Sequence, residues 1–128
     1  MSYSFSTILE GDMDGVIETV TSALASAGFG VLTTIDVKAT LKKKIDVDFR
    51  PYTILGACNP GFAHKALLSE PHIGTMLPCN VIVQEVGAGK FEVSAVDPMA
   101  SMMAVDNLAL GTIAGEVQGM LKTVIEGL

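Results

Sequence analysis

The sequence has 128 residues and contains no tryptophan, only two cysteines and few charged side chains. Charged residues make up 17% of the chain and apolar residues 49%, which excludes a disordered or heavily solvated chain. Because two cysteines do not make a disulfide framework, we expect both to be reduced thiols. With aromatic residues at only 5%, the core must be packed by aliphatic side chains and methionine.

Basic residues and long apolar runs are also scarce. The formal charge of −6 argues against binding to nucleic acid, which requires many Lys and Arg to neutralise phosphates. Most of the basic residues lie in KATLKKKIDVDFR, residues 38–50; this cluster could seat an anion, but it is more typical of a solvated helix end. The chain has no membrane-spanning apolar run and no recognisable signal peptide. We therefore expect one cytoplasmic domain over residues 1–128, with no membrane partner.

The first strand is predicted by strict alternation in SYSFSTIL, residues 2–9. Tyr3, Phe5, Thr7 and Leu9 fall on one face and serines on the other, which indicates a half-buried strand with one wet face. Such a strand favours an antiparallel sheet. Four further strands are predicted: FGVLTTIDV (29–37), YTILGAC (52–58), CNVIVQEV (79–86) and KFEVSAVD (90–97).

Helices are predicted where a capping residue precedes an apolar stripe of helical spacing. They cover residues 13–27 after Asp12, a short segment after Asp36, residues 60–69 after Asn59, a turn after Asp97, and the C-terminal stripe from Leu110 to Leu128. A sheet with one wet face and helices on its other side is a two-layer α+β sandwich, mainly antiparallel.

The two cysteines are each followed by asparagine, in LGACNP and LPCN. If their strands run antiparallel, Cys58 at the end of one strand and Cys79 at the start of the next lie at the same edge of the sheet. Cys58, Asn59, Cys79 and Asn80 would then form a candidate ligand-binding site. His64, on the outward side of the 60–69 helix, is a further candidate that could reach this edge, although nothing in the spacing requires it.

The two thiols are expected to differ. Cys79 alternates with Val81 and Val83, so it should face the core and be inert. Cys58 immediately precedes a helix N-terminus, a position that can activate a thiol, so it is the better catalytic candidate. Without a spaced CxxC motif or a clear histidine base, packing remains the simpler explanation for both.

Two other patterns are candidate binding features. Met99, Met102 and Met103 share a predicted helical face and with the cysteines could form a soft Cu(I) site, but methionines at this spacing are usually core filler. Gly111, Gly115 and Gly119 form a ridge on the C-terminal helix, where each glycine costs about 0.5–1 kcal/mol relative to alanine. The ridge predicts close approach of a neighbouring element or a second subunit; a tolerated surface rich in small residues is the alternative.

Residues 28–86 resemble the family called domain of unknown function 302, and the similarity extends over nearly the whole chain. Its most specific elements here are LGACNP and LPCNV. The resemblance implies a TATA-binding-protein-like arrangement: strand, helix, four strands and a long helix, with short extra helices. It implies no established activity, and the shared architecture does not imply DNA binding.

Function is therefore predicted only in outline. We expect a non-catalytic, homodimeric module that binds a small ligand or a partner near the Cys-Asn edge or on the wet sheet face. The alternative is a thiol-dependent enzyme or soft-metal-binding protein that uses Cys58 with Cys79. No triad, phosphate loop, dinucleotide fingerprint or zinc quartet is present, so no cofactor and no metal are predicted.

Overall fold

Residues 2–128 are described by a computed structural model, in which five strands form one antiparallel sheet of order β1-β5-β4-β3-β2. The strands are β1 (Ser4–Glu10), β2 (Gly30–Asp36), β3 (Tyr52–Cys58), β4 (Cys79–Gly87) and β5 (Lys90–Val96). Every neighbouring pair of strands is antiparallel, as the alternating first strand predicted.

The first four helices begin where the capping residues predicted them. They are α1 (Met13–Ser26), α2 (Val37–Ile45), α3 (Pro60–Ser69), α4 (Pro98–Ser101) and α5 (Leu108–Glu126). The Asp12 carboxylate accepts a hydrogen bond from the Gly15 N–H at 2.7 Å, and that of Asp36 accepts one from the Ala39 N–H at 2.9 Å. These bonds satisfy N–H groups that lack a partner in the first helical turn.

Helices α1 and α5 cover one face of the sheet and enclose the main core. The buried apolar side chains come from alternate strand positions, from the inner stripes of these two helices and from Phe29 just before β2: Val16, Val20, Leu24, Phe29, Leu55, Ala57, Val81, Val83, Phe91, Val93, Ala95, Val117, Leu121, Val124 and Ile125. The architecture is thus the two-layer α+β sandwich expected from the sequence.

Three predicted details differ from the structure. The alternation predicts Tyr3 on the same face as Phe5, but Tyr3 precedes β1, is 74% exposed and lines a hollow on the opposite face. Residues 71–76, for which no helix or strand is predicted from the sequence, form a 3-10 helix over Pro71–Met76, because Glu70 caps it and Pro71 suits its first position. The last helix starts earlier than the apolar stripe, since Asn107 accepts a hydrogen bond from the Ala109 N–H and caps it.

The basic segment after β2 is an exposed helix end. Lys42 Nζ lies 2.9 Å from Asp46 Oδ1 and 3.3 Å from Asp48 Oδ1, while Lys38 Nζ donates to the Phe49 carbonyl. Lys43 and Lys44 are exposed in the last turn of α2, where cations interact favourably with the helix dipole.

No helix within residues 2–128 has both the length and the apolar character needed to cross a membrane.

Candidate ligand-binding site

An apolar cavity lies at the sheet edge where β3 ends and β4 begins. Its walls come from the residue before β2, the end of β3, helix α3, the start of β4 with the segment before it, α4 with the residue after it, and α5. The lining residues are Phe29, Ala57, Cys58, Asn59, Phe62, Ala63, Ala66, Leu77, Pro78, Cys79, Pro98, Met102, Ile113, Ala114 and Val117. The cavity volume available to a water-sized sphere is about 30 Å³. That volume accommodates one water-sized group, so a larger ligand would require the covering helices to move.

Both cysteines line this cavity, and the register of β3 and β4 places them at the same edge of the sheet. Ala57 is directly opposite Cys79, so Cys58 is one position further along the same strand end. The shared edge predicted from the sequence is therefore confirmed. Each thiol is free and half-buried.

The Cys79 thiol faces the core, as its alternation with Val81 and Val83 predicted. The pKa of Cys79 is raised from its ordinary value of 9.0 to about 11, mainly by burial and to a smaller extent by the nearby Cys58. Desolvation disfavours the thiolate, and a second thiolate nearby would repel it. Cys79 is consequently a neutral, weakly nucleophilic thiol at neutral pH.

Asn59 holds the start of α3 in place. Its side-chain oxygen accepts a hydrogen bond from the Phe62 N–H at 3.3 Å, and Pro60 follows in the first helical turn. This is the capping role that the sequence predicted. Its amide nitrogen lies against Gly28, where an added Cβ would approach it to 3.1 Å. Because Gly28 has φ +89°, the position favours glycine on conformational grounds as well.

Two of the candidate residues lie away from the cavity. Asn80 is exposed and lines a hollow on the opposite face of the sheet, because successive strand residues alternate between faces. His64 is exposed on α3 and does not contribute to the cavity wall, which that helix builds from Phe62, Ala63 and Ala66. The structure thus brings together Cys58, Asn59 and Cys79 only.

The roof of the cavity was not predicted from the sequence. Pro98 and Met102 come from α4 and the residues after it, and α5 contributes Ile113, Ala114 and Val117. The Asp97-Pro98 pair and the apolar stripe of the last helix predicted these elements, but nothing in their patterns indicated contact with the cysteines. Of the three candidate methionines, only Met102 lines the cavity; Met103 is 70% exposed and Met99 is 40% exposed.

The glycine ridge of α5 lies outside this site. Within the described chain, a Cβ added at Gly111 or Gly119 would have no neighbour within 4 Å, and one at Gly115 would meet only Met99 Sδ at 3.9 Å. The ridge therefore makes little close contact inside the chain. Its predicted contact with a second subunit remains a prediction.

Among residues 2–128, histidine, cysteine and carboxylate side chains do not gather in any group of three or more that could hold a metal ion. The cavity offers at most two thiols and one thioether as soft ligands.

Comparisons with known proteins agree with this architecture. A family model described as Domain of unknown function DUF302 matches residues 5–128. The chain is also similar to a protein of known structure, described as "Crystal structure of uncharacterized conserved protein DUF302 from Bacillus stearothermophilus". The two are 27% identical, with a TM-score of 0.89 and coverage of 98% of each chain. No curated protein matches the sequence.

Proposed function

The chain belongs to the family described as Domain of unknown function DUF302, and we propose that it is a cytoplasmic, non-catalytic homodimer that binds a small apolar molecule. The ligand occupies the cavity beside Cys58 and Cys79. The observation that carries this proposal is the lining, in which aliphatic, aromatic and sulfur-containing side chains surround a single asparagine. Small-molecule sites are typically apolar pockets with a few polar groups.

The absence of a proton-transfer group in the lining favours binding over catalysis. Among the described residues, the only ionisable side chains that line the cavity are the two thiols, and the pKa of Cys79 is raised. A nucleophilic thiol normally needs a nearby base or a lowered pKa. The amide oxygen of Asn59 is already engaged in capping α3, which supports a structural role for this residue as well.

Xenon provides a direct test, because it binds apolar cavities without hydrogen bonds. Methyl NMR spectra of the full chain under xenon pressure should show shifts concentrated at Leu77, Ile113 and Val117, which line the cavity. The same spectra recorded with indole test whether α3 and α4 move apart to admit a larger ligand. The proposal fails if xenon shifts no methyl group of the lining.

A pair of helical alanines gives matched variants for this experiment. Ala63→Leu adds volume to the cavity wall, whereas Ala25→Leu adds the same volume on the exposed side of α1. Xenon shifts should be lost in Ala63→Leu and retained in Ala25→Leu. Equal shifts in both variants would place the xenon elsewhere.

A second function is supported by the proximity of the two thiols. Their common position on the cavity wall is what a thiol-dependent enzyme or a soft-metal site built on Cys58 and Cys79 would need. Titration of the reduced protein with Cu(I) distinguishes it from the first proposal. Stoichiometric binding that disappears in Cys58→Ser and in Cys79→Ser would favour the soft-metal function, and weak binding unaffected by either substitution would argue against it.

A further inference from the structure

One face of the sheet is left uncovered by α1 and α5, which pack on the other face. Ile8 of β1 and Ile35 of β2 are on this uncovered face and are 52% and 47% exposed. We call it the open face. It also presents Ile54 and Ile82, which are half-buried, and a hollow of about 390 Å³ near β1, β4 and β5.

A single cross-strand row on the open face runs through all five strands. The register pairs Ser6 with Ser94, Ser94 with Ile82, Ile82 with Ile54, and Ile54 with Ile35. The β1 end of this row is small and polar, and the two serine hydroxyls are 2.7 Å apart. The β2 end is bulky and apolar. Ile82 lies on β4, the middle strand of the sheet.

This asymmetry makes the row complementary to itself. If two open faces meet about a two-fold axis parallel to β4, β2 of one copy lies over β1 of the other. Ile35 and Ile54 of each copy then face the serines and the hollow of the other copy. Ile82 of both copies lies near the two-fold axis. Such an isologous contact closes as a dimer. We propose that the open face binds a second copy of this chain.

The charges of the open face also favour a second copy as the occupant. Copies with a net charge of −6 repel each other at most orientations. The five-residue row carries no charge. At its border, Glu10 is opposite Lys90. Arg50 Nε donates a hydrogen bond to the side-chain oxygen of Gln84. The side-chain amide of Gln84 in turn donates to Glu92 Oε1 at 3.2 Å. The two carboxylates and the two basic side chains at this border therefore cancel in charge. Two open faces can meet without net electrostatic repulsion.

The size of the open face is adequate for a dimer contact. Five strands at ~4.8 Å spacing, each ~7 residues long at ~3.3 Å per residue, cover roughly 550 Å² of flat area. Protruding side chains raise the accessible area towards the ~800 Å² per partner that a standard interface buries.

Sedimentation equilibrium of the full chain tests this inference, which rests on the homodimer named in the proposed function. The expected mass of the wild type is twice the 13.4 kDa of one chain. Ile35→Glu and Ile82→Glu should each weaken dimerisation at least ~100-fold, because each places a carboxylate in a dry contact. Leu68→Glu is the matched control, since Leu68 is 73% exposed on α3, away from the open face.

The outcomes separate the two proposals. A wild type that stays at 13.4 kDa at high concentration overturns both the homodimer and its interface. A dimer that persists in Ile35→Glu overturns the open-face interface but leaves the homodimer proposal standing. If that dimer is instead lost in Gly115→Leu, the contact between the copies is made by the glycine ridge. Circular dichroism confirms folding of each variant. Ile35 is exposed and lies on an edge strand, so Ile35→Glu should fold normally. This variant therefore still tests the interface if Ile82→Glu does not fold.

Discussion

Ala57 and Cys79 are directly opposite each other on β3 and β4, with both side chains on the helix-covered face of the sheet. This pairing brings a thiol from the start of β4 beside a thiol from the end of β3. Alternation along β4 places Asn80, the next residue, on the opposite face. Of the two Cys-Asn pairs, the first therefore lines the cavity with both residues and the second with its cysteine alone.

The two thiols should react at different rates with an alkylating agent. With its pKa raised to about 11, Cys79 holds about 100-fold less thiolate at pH 8 than a thiol of pKa 9.0. Iodoacetamide followed by peptide mass spectrometry should therefore modify Cys58 well before Cys79. Cys79→Ser should leave the rapid phase unchanged, and Cys58→Ser should remove it. Faster modification of Cys79 would contradict the assignment.

Stability should fall at alkaline pH partly because of Cys79. The folded state keeps this proton up to about pH 11, whereas the unfolded chain releases it near pH 9.0. The unfolded state thus binds fewer protons between these values, and the free energy of unfolding decreases as pH rises through the window. A two-unit shift corresponds to roughly 2–3 kcal/mol at most. This contribution is fully present below pH 9.0 and is lost towards pH 11.

Urea unfolding of the wild type and Cys79→Ala at pH 8 and pH 10.5 isolates this effect. All other ionisable groups are the same in the two proteins, so the difference between their pH dependences reports Cys79. The variant should be less stable at pH 8 because of the cavity it creates, but it should lose less stability on going to pH 10.5. Parallel losses in the two proteins would contradict the raised pKa.

The fold was largely predictable because its elements carry local signals. Asp12, Asp36 and Asn59 each precede a helix whose first-turn N–H they cap, and alternation in β1 indicated an antiparallel sheet. The errors came where local patterns are weak. Tyr3 continues the alternation of β1 in sequence, yet it lies before the strand and is exposed.

The site was predictable only in part. Antiparallel neighbours predicted that Cys58 and Cys79 share an edge, but the contribution of Met102 and Ala114 depends on how α4 and α5 cross the sheet. Such long-range packing has no periodic signature in the sequence. His64 is exposed on α3, the outward position that its helical spacing predicts, and it does not line the cavity that it could have reached.

Gly56 should tolerate no side chain, because two neighbours occupy the space beside it. A Cβ at this position would overlap with Thr33 Oγ1 and come within 2.8 Å of Pro78 Cγ. Gly56→Ala should therefore lower the free energy of unfolding by about 1–3 kcal/mol, the usual penalty for overpacking. Denaturant unfolding monitored by circular dichroism measures this loss.

Gly30 on the neighbouring strand is the matched control for Gly56. An added Cβ there meets no described atom within 4 Å, so Gly30→Ala should be neutral within about 0.5 kcal/mol or slightly stabilising. Removing the Thr33 hydroxyl in Gly56→Ala/Thr33→Ala should restore part of the lost stability. Equal effects of Gly30→Ala and Gly56→Ala would show that steric overlap is not the cause.

Asn59→Ala should destabilise the protein by about 1 kcal/mol, because the Phe62 N–H loses its partner at the start of α3. Asn59→Ser keeps a side-chain oxygen that can cap the same N–H, so it should retain most of the stability. Hydrogen exchange at the first turn of α3 provides the local measurement, with faster exchange expected in Asn59→Ala only. If both variants lose the same stability, the contact of the Asn59 amide with Gly28, rather than the cap, would be the stabilising interaction.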